Sequence, residues 1–165
     1  MTEITPLHGD DRPRWAELWR AYLAFYETTL PDAQFDNTWT RLASARRRAP
    51  RPRRPARRRP DRQTHYLFHP TAWSSAPACY LQDLFVDPTA RGTGAGRALI
   101  EAVAERAREA QACRLYWLTQ TGNAVARRLY DRLARDNGFM RYDYPLYTKS
   151  LSVWLMGWIP ESAAG

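Results

Sequence analysis

The sequence predicts an α/β domain in which a central, twisted, mixed sheet is flanked by helices, and three observations lead to it. An apolar run from Tyr80 to Val86 passes through a glycine-punctuated turn into an amphipathic helix. A second apolar run, Arg114 to Thr119, follows that helix, so strand, helix and strand are spaced for a crossover between parallel neighbours. Two helical segments with aromatic stripes precede them.

Taken in order, residues 3 to 8 are expected to form a short first strand, which Gly9-Asp10-Asp11 breaks before capping a helix. Trp15, Leu18, Trp19, Tyr22 and Tyr26 recur at three- and four-residue steps, which predicts a helix from about Asp11 to Glu27. Pro31-Asp32 opens a second helix with Phe35, Trp39 and Leu42 on one face. The run Thr64 to Pro70 reads as the end of a strand, and Trp73 beyond it as a packed loop aromatic or the wall of a cleft. From Gly96 to about Ala110, Leu99, Ile100, Val103 and Ala107 line one helical face, with Glu101, Glu105, Arg108 and Glu109 on the other. Thr121-Gly122-Asn123 caps a later helix whose stripe is Ala126, Leu129, Tyr130 and Leu133, and Asn137-Gly138 stops it. Phe139 to Tyr144 alternates as a strand that Pro145 closes.

A chain of 165 residues, 44% apolar with seven Trp and nine Tyr, holds one core without disulfide or metal support. Cys79 and Cys113 have no ligand-like spacing, so no metal site is expected and a reducing, cytoplasmic setting is. No leader-like apolar run stands near residue 1, and the apolar run Leu151 to Ile159 is too short to span a bilayer. The formal charge of +8 is local: Arg46 to Arg62 holds ten arginines against Asp61, leaving 15 basic and 16 acidic residues elsewhere. Residues 46–63, with four prolines and nothing apolar larger than Ala, are expected to be a disordered insert within a single domain over 1–149; residues 150–165 are a tail. An arginine-only composition also arises when a GC-rich coding region is read out of frame, so native insert and frame artefact both stay open.

The turn Arg91-Gly92-Thr93-Gly94-Ala95-Gly96-Arg97 carries the chemical signal. Its glycines let a ligand approach the main chain, the helix start offers amide donors and dipole to an anion, and Arg91 and Arg97 add charge. Two phosphate signatures fail here: G-x-G-x-x-G would need glycine where Arg97 stands, and no G-K-[ST] follows.

Arg91, Gly94 and Gly96 fit [RQ]-x-x-G-x-[GA], and Asn123, Ala126 and Tyr130 fit N-x-x-A-x-x-x-Y. On these motifs the chain resembles the GNAT N-acetyltransferases. The block Tyr80-Leu81-Gln82-Asp83-Leu84-Phe85-Val86 resembles the branch holding the spermidine/spermine and thialysine acetyltransferases. The resemblance covers Thr64 to Tyr144 well and the first helices loosely. It implies a GNAT-like sheet, in which the second and third strands of the family give way here to the arginine–proline loop. It implies acetyl-CoA as co-substrate, held by the main chain of Leu84, Phe85 and Val86 along the pantetheine arm and by Gly92, Thr93, Gly94, Ala95, Gly96 and Arg97, with Arg91, at the pyrophosphate. Backbone donors of that strand polarise the thioester, a device that needs no particular side chain. Asn123 binds the pantetheine arm, and Tyr130 gives a proton to the coenzyme A sulfur, its ordinary pKa of about 10 lying close to a thiol's.

Deprotonation of the acceptor is less determined. Polyamine-type relatives carry Glu-Asp in the strand, and here Gln82 stands in place of the glutamate, leaving it to orient a water or the substrate to arrive as free base. Asp83 is expected to attract a cationic acceptor, because a carboxylate inside such a strand is costly unless paired or wet. His65 and His69 are further bases or structural residues, and Cys113 is packing. The expected activity is direct acetyl transfer to a primary amine of a small molecule, a polyamine or a lysine-like amino acid, by a chain that resembles dimeric relatives. Two alternatives remain: binding of nucleic acid or an acidic partner through Arg46 to Arg62, and an acetyltransferase homologue impaired by the loss of strands.

Overall fold

The computed structural model describes residues 4–46, 60–144 and 146. The chain divides into two compact units, residues 1–117 and 118–165.

In the first unit, helix α1 (Arg12–Phe25) follows a single 3-10 turn at Gly9–Asp11, and Asp11 closes that turn by accepting from the His8 amide at 2.6 Å. Pro13 fits the first turn of α1, where its missing N–H would have had no helical acceptor. Helix α2 spans Asp32–Arg46. The expected strand over residues 3–8 is absent from 4–8, where Pro6 has no donor for a ladder. The aromatic stripe is buried as its spacing predicts: Trp15, Leu18, Trp19, Tyr22 and Leu23 face inward with Phe35 of α2. Trp15 stacks on Trp19 at 6.4 Å and meets Phe35 and Trp39 at 6.1 and 5.2 Å between ring centres. Each such side chain contributes about 2 kcal/mol on burial.

Strand β1 (Arg62–Thr71) pairs antiparallel with β2 (Ser74–Val86), and β2 pairs parallel with β3 (Arg114–Tyr116) after helix α3 (Ala95–Glu109). The order β1-β2-β3 makes an open mixed sheet with helices on both faces, the fold class the sequence predicts. The loss of strands expected before Thr64 is partial. Arg62 and Gln63 belong to β1 rather than to the insert, opposite Val86 and Phe85, and Arg46 closes α2; the arginine–proline residues between lie outside the described residues. What draws residues 60–63 into the sheet is pairing: the Asp87 amide donates to Asp61 O at 2.8 Å, and Arg14 of α1 donates to Pro60 O and to Asp87 Oδ2 at 2.6 and 2.8 Å. Trp73, expected to pack in a loop or to wall a cleft, stands 92% exposed at the hairpin tip.

A bulge separates the two halves of β2. His65 pairs with Asp83 and the next residue, Tyr66, with Leu81, so Gln82 is an extra residue. Its consequence is a change of face. Tyr66 is near enough to Arg106 and Glu109 of α3 to feel their charges, which puts its partner Leu81 on that side. Asp83 and Phe85 turn to the opposite face, where Tyr22 of α1 meets both. Among the described residues no helix is long and apolar enough to cross a membrane.

The second unit contains helix α4 (Ala124–Tyr130), seven residues long, capped by Asn123 Oδ1 accepting from the Ala126 amide at 3.3 Å. It stops before the predicted boundary at Asn137, and its stripe is half-buried. Residues 139–144 form no strand: Phe139, Met140, Tyr142 and Tyr144 are all exposed, and alternation makes a strand only where a neighbour supplies the ladder. Leu118 and Thr119 likewise fall outside β3, which ends at Tyr116. The tail from residue 150 lies outside the described residues.

Candidate active site

Three features of the first unit converge on the carboxyl end of β2. The first is an open strip of main chain. Strand β3 follows β2 only over Ala78, Cys79 and Tyr80, and then leaves, so residues 81–86, including Leu84, Phe85 and Val86, have no described strand partner on that side. Donors and acceptors of such a strip are available to an extended ligand carrying amides.

The second is the turn. Gly92 and Gly94 have φ of +77° and +82°, backbone that other residues adopt only under strain. Gly94 is the N-cap of α3 and has no side chain to satisfy the first-turn amides of Ala95, Gly96 and Arg97, which by helix geometry lack intrahelical acceptors. That leaves a cradle of donors with the positive end of the α3 dipole behind it. Arg91 donates from Nε to Val86 O at 3.2 Å, tying the turn back to the strip, and Thr93 Oγ1 donates to Ala90 O at 2.7 Å. Arg97 pairs with Glu101 at 2.7 Å on the exposed side of α3.

The third feature is one of which sequence reasoning reached Asp83 and, as a base or a structural residue, His65. Asp83 is 3% exposed and its carboxylate is engaged on both oxygens: Tyr22 OH donates to Oδ1 at 3.0 Å, and His65 Nδ1 lies 3.0 Å from Oδ2. Trp15 Nε1, a donor only, sits 3.0 Å from His65 Nε2. Nε2 must therefore accept, and the ring proton is on Nδ1, directed at Asp83. Tyr22 is in turn hydrogen-bonded to Tyr26, whose ring is 5.0 Å away. Burial first, then the neighbouring Asp83 charge, holds the Tyr22 phenol protonated far above its ordinary range; Tyr26 is also raised, by burial, while its bond with Tyr22 pulls the other way. Thr64 adds a bond to the Asp83 carbonyl at 2.8 Å. The aromatic stripe of α1 was legible as core, but its spacing gave no sign that Tyr22 and Trp15 also carry polar ends into a buried network.

The remaining predicted residues are placed as follows. Gln82, the bulged residue, is exposed, whereas its neighbour Asp83 is sealed. His69 is apart from this network: it bonds Tyr116 OH through Nε2 at 2.9 Å and the Pro70 carbonyl through Nδ1 at 2.8 Å. In the second unit Asn123 both caps α4 and donates from Nδ2 to Thr119 Oγ1 at 3.3 Å. Tyr130 closes the same helix two turns on, on the same side and half-buried. Cys113 is exposed, not packed as expected, because the strand begins one residue later.

An open strip of strand running into an anion cradle at a helix start offers a seat for an extended, amide-containing, phosphate-ended ligand. Residues 15–134 match the Acetyltransferase (GNAT) family, and the chain belongs to that family. It is 33% identical over 138 residues to the D-amino-acid N-acetyltransferase HPA3 of Saccharomyces cerevisiae, a span covering 79% of this chain and 83% of that protein. Among solved structures it is similar to a probable acetyltransferase, with a TM-score of 0.74 at 20% identity over 90% of this chain and all of the other. A putative acetyltransferase of Agrobacterium tumefaciens gives a TM-score of 0.67 at 16% identity over 87% and 99% of the two chains. These two likenesses are of fold. The protein is an acetyl-transferring enzyme, and its family uses acetyl-CoA.

Proposed function

We propose that this chain transfers the acetyl group of acetyl-CoA to a primary amine of a small molecule by direct attack of the amine on the thioester. The observation that carries this reading is the continuity of the open Leu84–Val86 strip with the turn at Gly92 and Gly94 and the uncapped start of α3. In this reading the strip binds the pantetheine arm and polarises the thioester carbonyl, while Gly92 to Arg97, with Arg91, hold the pyrophosphate. Tyr130 protonates the departing thiolate and Asn123 steadies the arm; Gln82, exposed in its bulge, orients the acceptor or a water beside it.

For the acceptor, two amine classes are carried forward. The strand residues Gln82 and Asp83 led to a polyamine or a lysine-like amino acid; the name of the yeast relative adds D-amino acids, and an amino-acid amine satisfies both sources. Calorimetry with acetyl-CoA, followed by transfer assays with D-alanine, L-lysine and spermidine, separates them. Acetyl-CoA should bind, Tyr130→Phe should lower turnover more than binding, and no binding at near-millimolar acetyl-CoA would defeat the proposal. Cooperative thermal unfolding distinguishes an active enzyme from an impaired homologue, and sedimentation checks the homodimer. Ten arginines between Arg46 and Arg62 support a second activity, salt-dependent binding of nucleic acid, which deletion of that segment should abolish without loss of acetyl-CoA binding.

A further inference from the structure

We propose that Arg114 is the seat for the carboxylate of the acceptor, which makes the acceptor an α-amino acid and not a polyamine. This rests on the acetyl-transfer reading above and decides between the two amine classes carried forward there. Arg114 opens β3 and is exposed. The exposed arginines of α3, Arg97, Arg106 and Arg108, each pair with a glutamate three or four residues away, at 2.5 to 2.7 Å. Arg114 has no carboxylate partner among the described residues; its guanidinium lies instead over the ring of Tyr116, 5.3 Å from the ring centre. A cation held on an aromatic face keeps its N–H edge open to a bidentate anion.

That head sits at the fork where the open strip begins. Tyr116 pairs with Tyr80 in the last rung before β3 leaves β2, and their rings stack at 5.0 Å between centres. The guanidinium has thus reached forward along β3 by two residues, from its own rung with Ala78 to the rung of Tyr80. His69 holds the platform in place. The Pro70 carbonyl, which only accepts, lies 2.8 Å from His69 Nδ1, so in the neutral ring Nδ1 carries the hydrogen and Nε2 accepts from Tyr116 OH at 2.9 Å.

The length of the donor arm brings the reacting carbon to the same place. Arg91 ties the phosphate cradle to Val86 O. From the nearer phosphorus to the thioester carbon there are about fourteen bonds, the length of about four to five extended residues. Counted back from Val86, that ends at Leu81 or Gln82, at the bulge. Tyr80 and Gln82 are about 7 Å apart along a strand. An attacking nitrogen stands about 3 Å from its carbon and a carboxylate oxygen about 3 Å from a guanidinium nitrogen, which leaves room for an α-carbon and a carboxyl carbon and little else. An α-amine fills that span, and a longer side-chain amine overshoots it. A polyamine brings only positive charge to Arg114 and is repelled. The Asp83 carboxylate is sealed, with both oxygens engaged by Tyr22 and His65, and leaves Arg114 without a counter-charge.

The probes are the better acceptor of D-alanine and L-lysine, the carboxamide of that amino acid, and spermidine, each with the full-length chain. Arg114→Gln, at an exposed position, should raise KM for the amino acid about tenfold to a hundredfold, with kcat and acetyl-CoA affinity within about twofold of wild type. The carboxamide should have the same raised KM with the wild type and should not respond to the substitution. Arg114→Lys, which keeps the charge and loses the fork, should recover part of the affinity. A KM for the amino acid that stays within about twofold in Arg114→Gln, or a wild type that acetylates the carboxamide or spermidine as efficiently as the amino acid, overturns the carboxylate seat alone. Failure of the wild type to acetylate any of these amines overturns the acetyl-transfer reading, and the seat with it.

Discussion

Replacing Asp83 by alanine should be among the most destabilising changes in this protein. The substitution leaves two buried donors, Tyr22 OH and His65 Nδ1–H, without the acceptor each now has at 3.0 Å. His65 cannot escape by changing tautomer, because Trp15 Nε1–H needs Nε2 as its acceptor. The Tyr22 hydroxyl still has Tyr26 beside it, so the orphan is His65 Nδ1–H; at about 1–3 kcal/mol for the orphaned donor and about 1 kcal/mol for the lost Tyr22 bond, the change should cost about 3 kcal/mol. For a chain of this length that lowers the melting temperature by about 10 °C. Urea unfolding followed by tryptophan fluorescence suits the measurement, since Trp15 and Trp19 lie 6.2 and 5.1 Å from the His65 ring. Tyr22→Phe alone should cost about 1 kcal/mol. In the alanine background the Tyr22 bond to Asp83 is already gone, so the double variant should be more stable than additivity predicts by about 1 kcal/mol. A loss below about 1 kcal/mol for Asp83→Ala, or strict additivity with Tyr22→Phe, would refute the buried-network reasoning.

Three further outcomes follow from particular geometries. Gln111 has φ of +52° just past α3, where Ala112 N bonds Ala107 O at 2.8 Å, so Gln111→Gly should raise stability by about 0.5 kcal/mol in the same urea assay. Thr89, through its hydroxyl and amide, and then Arg14 hold the Asp87 carboxyl at about 2, below its ordinary value. That stability is present above the ordinary carboxylate range and is lost as pH falls from about 4 toward 2; Asp87→Asn should flatten this acid limb of the melting curve. Cys79 is buried, which raises its thiol pKa, while Cys113 is exposed, so one thiol of the folded protein should react promptly with Ellman's reagent and the second only on unfolding.

Legibility differed by element. The end of β2, the turn and α3 could be read almost to the residue, because apolar runs, a proline stop and spaced glycines are each local causes of local structure; the start of β2 at Ser74, ahead of the apolar run, and the bulge at Gln82 could not. Strands that depend on a distant partner were harder. Arg62 and Gln63 look like loop by composition and become strand by pairing with Val86 and Phe85, while Phe139 to Tyr144 look like strand and pair with nothing described. The candidate site was half legible for a related reason. Asp83 stood out as an acid in an apolar run, but its sealing by Tyr22 and His65 depends on contacts 61 and 18 residues away in sequence.

The extra residue at Gln82 leaves β2 out of phase with itself, the half before it dressing the α3 layer with Leu81 and the half after it dressing the α1 layer with Asp83. Were Gln82 to take a place in the ladder instead of bulging, β2 would pair with β1 as a regular pleat. The acid would then turn to the α3 face with Leu81, and Gln82 would take its place opposite His65. A strand of unchanged composition would thus turn a charge toward the apolar face of α3, and the buried carboxylate owes its hydrogen-bond partners to a counting irregularity in the backbone.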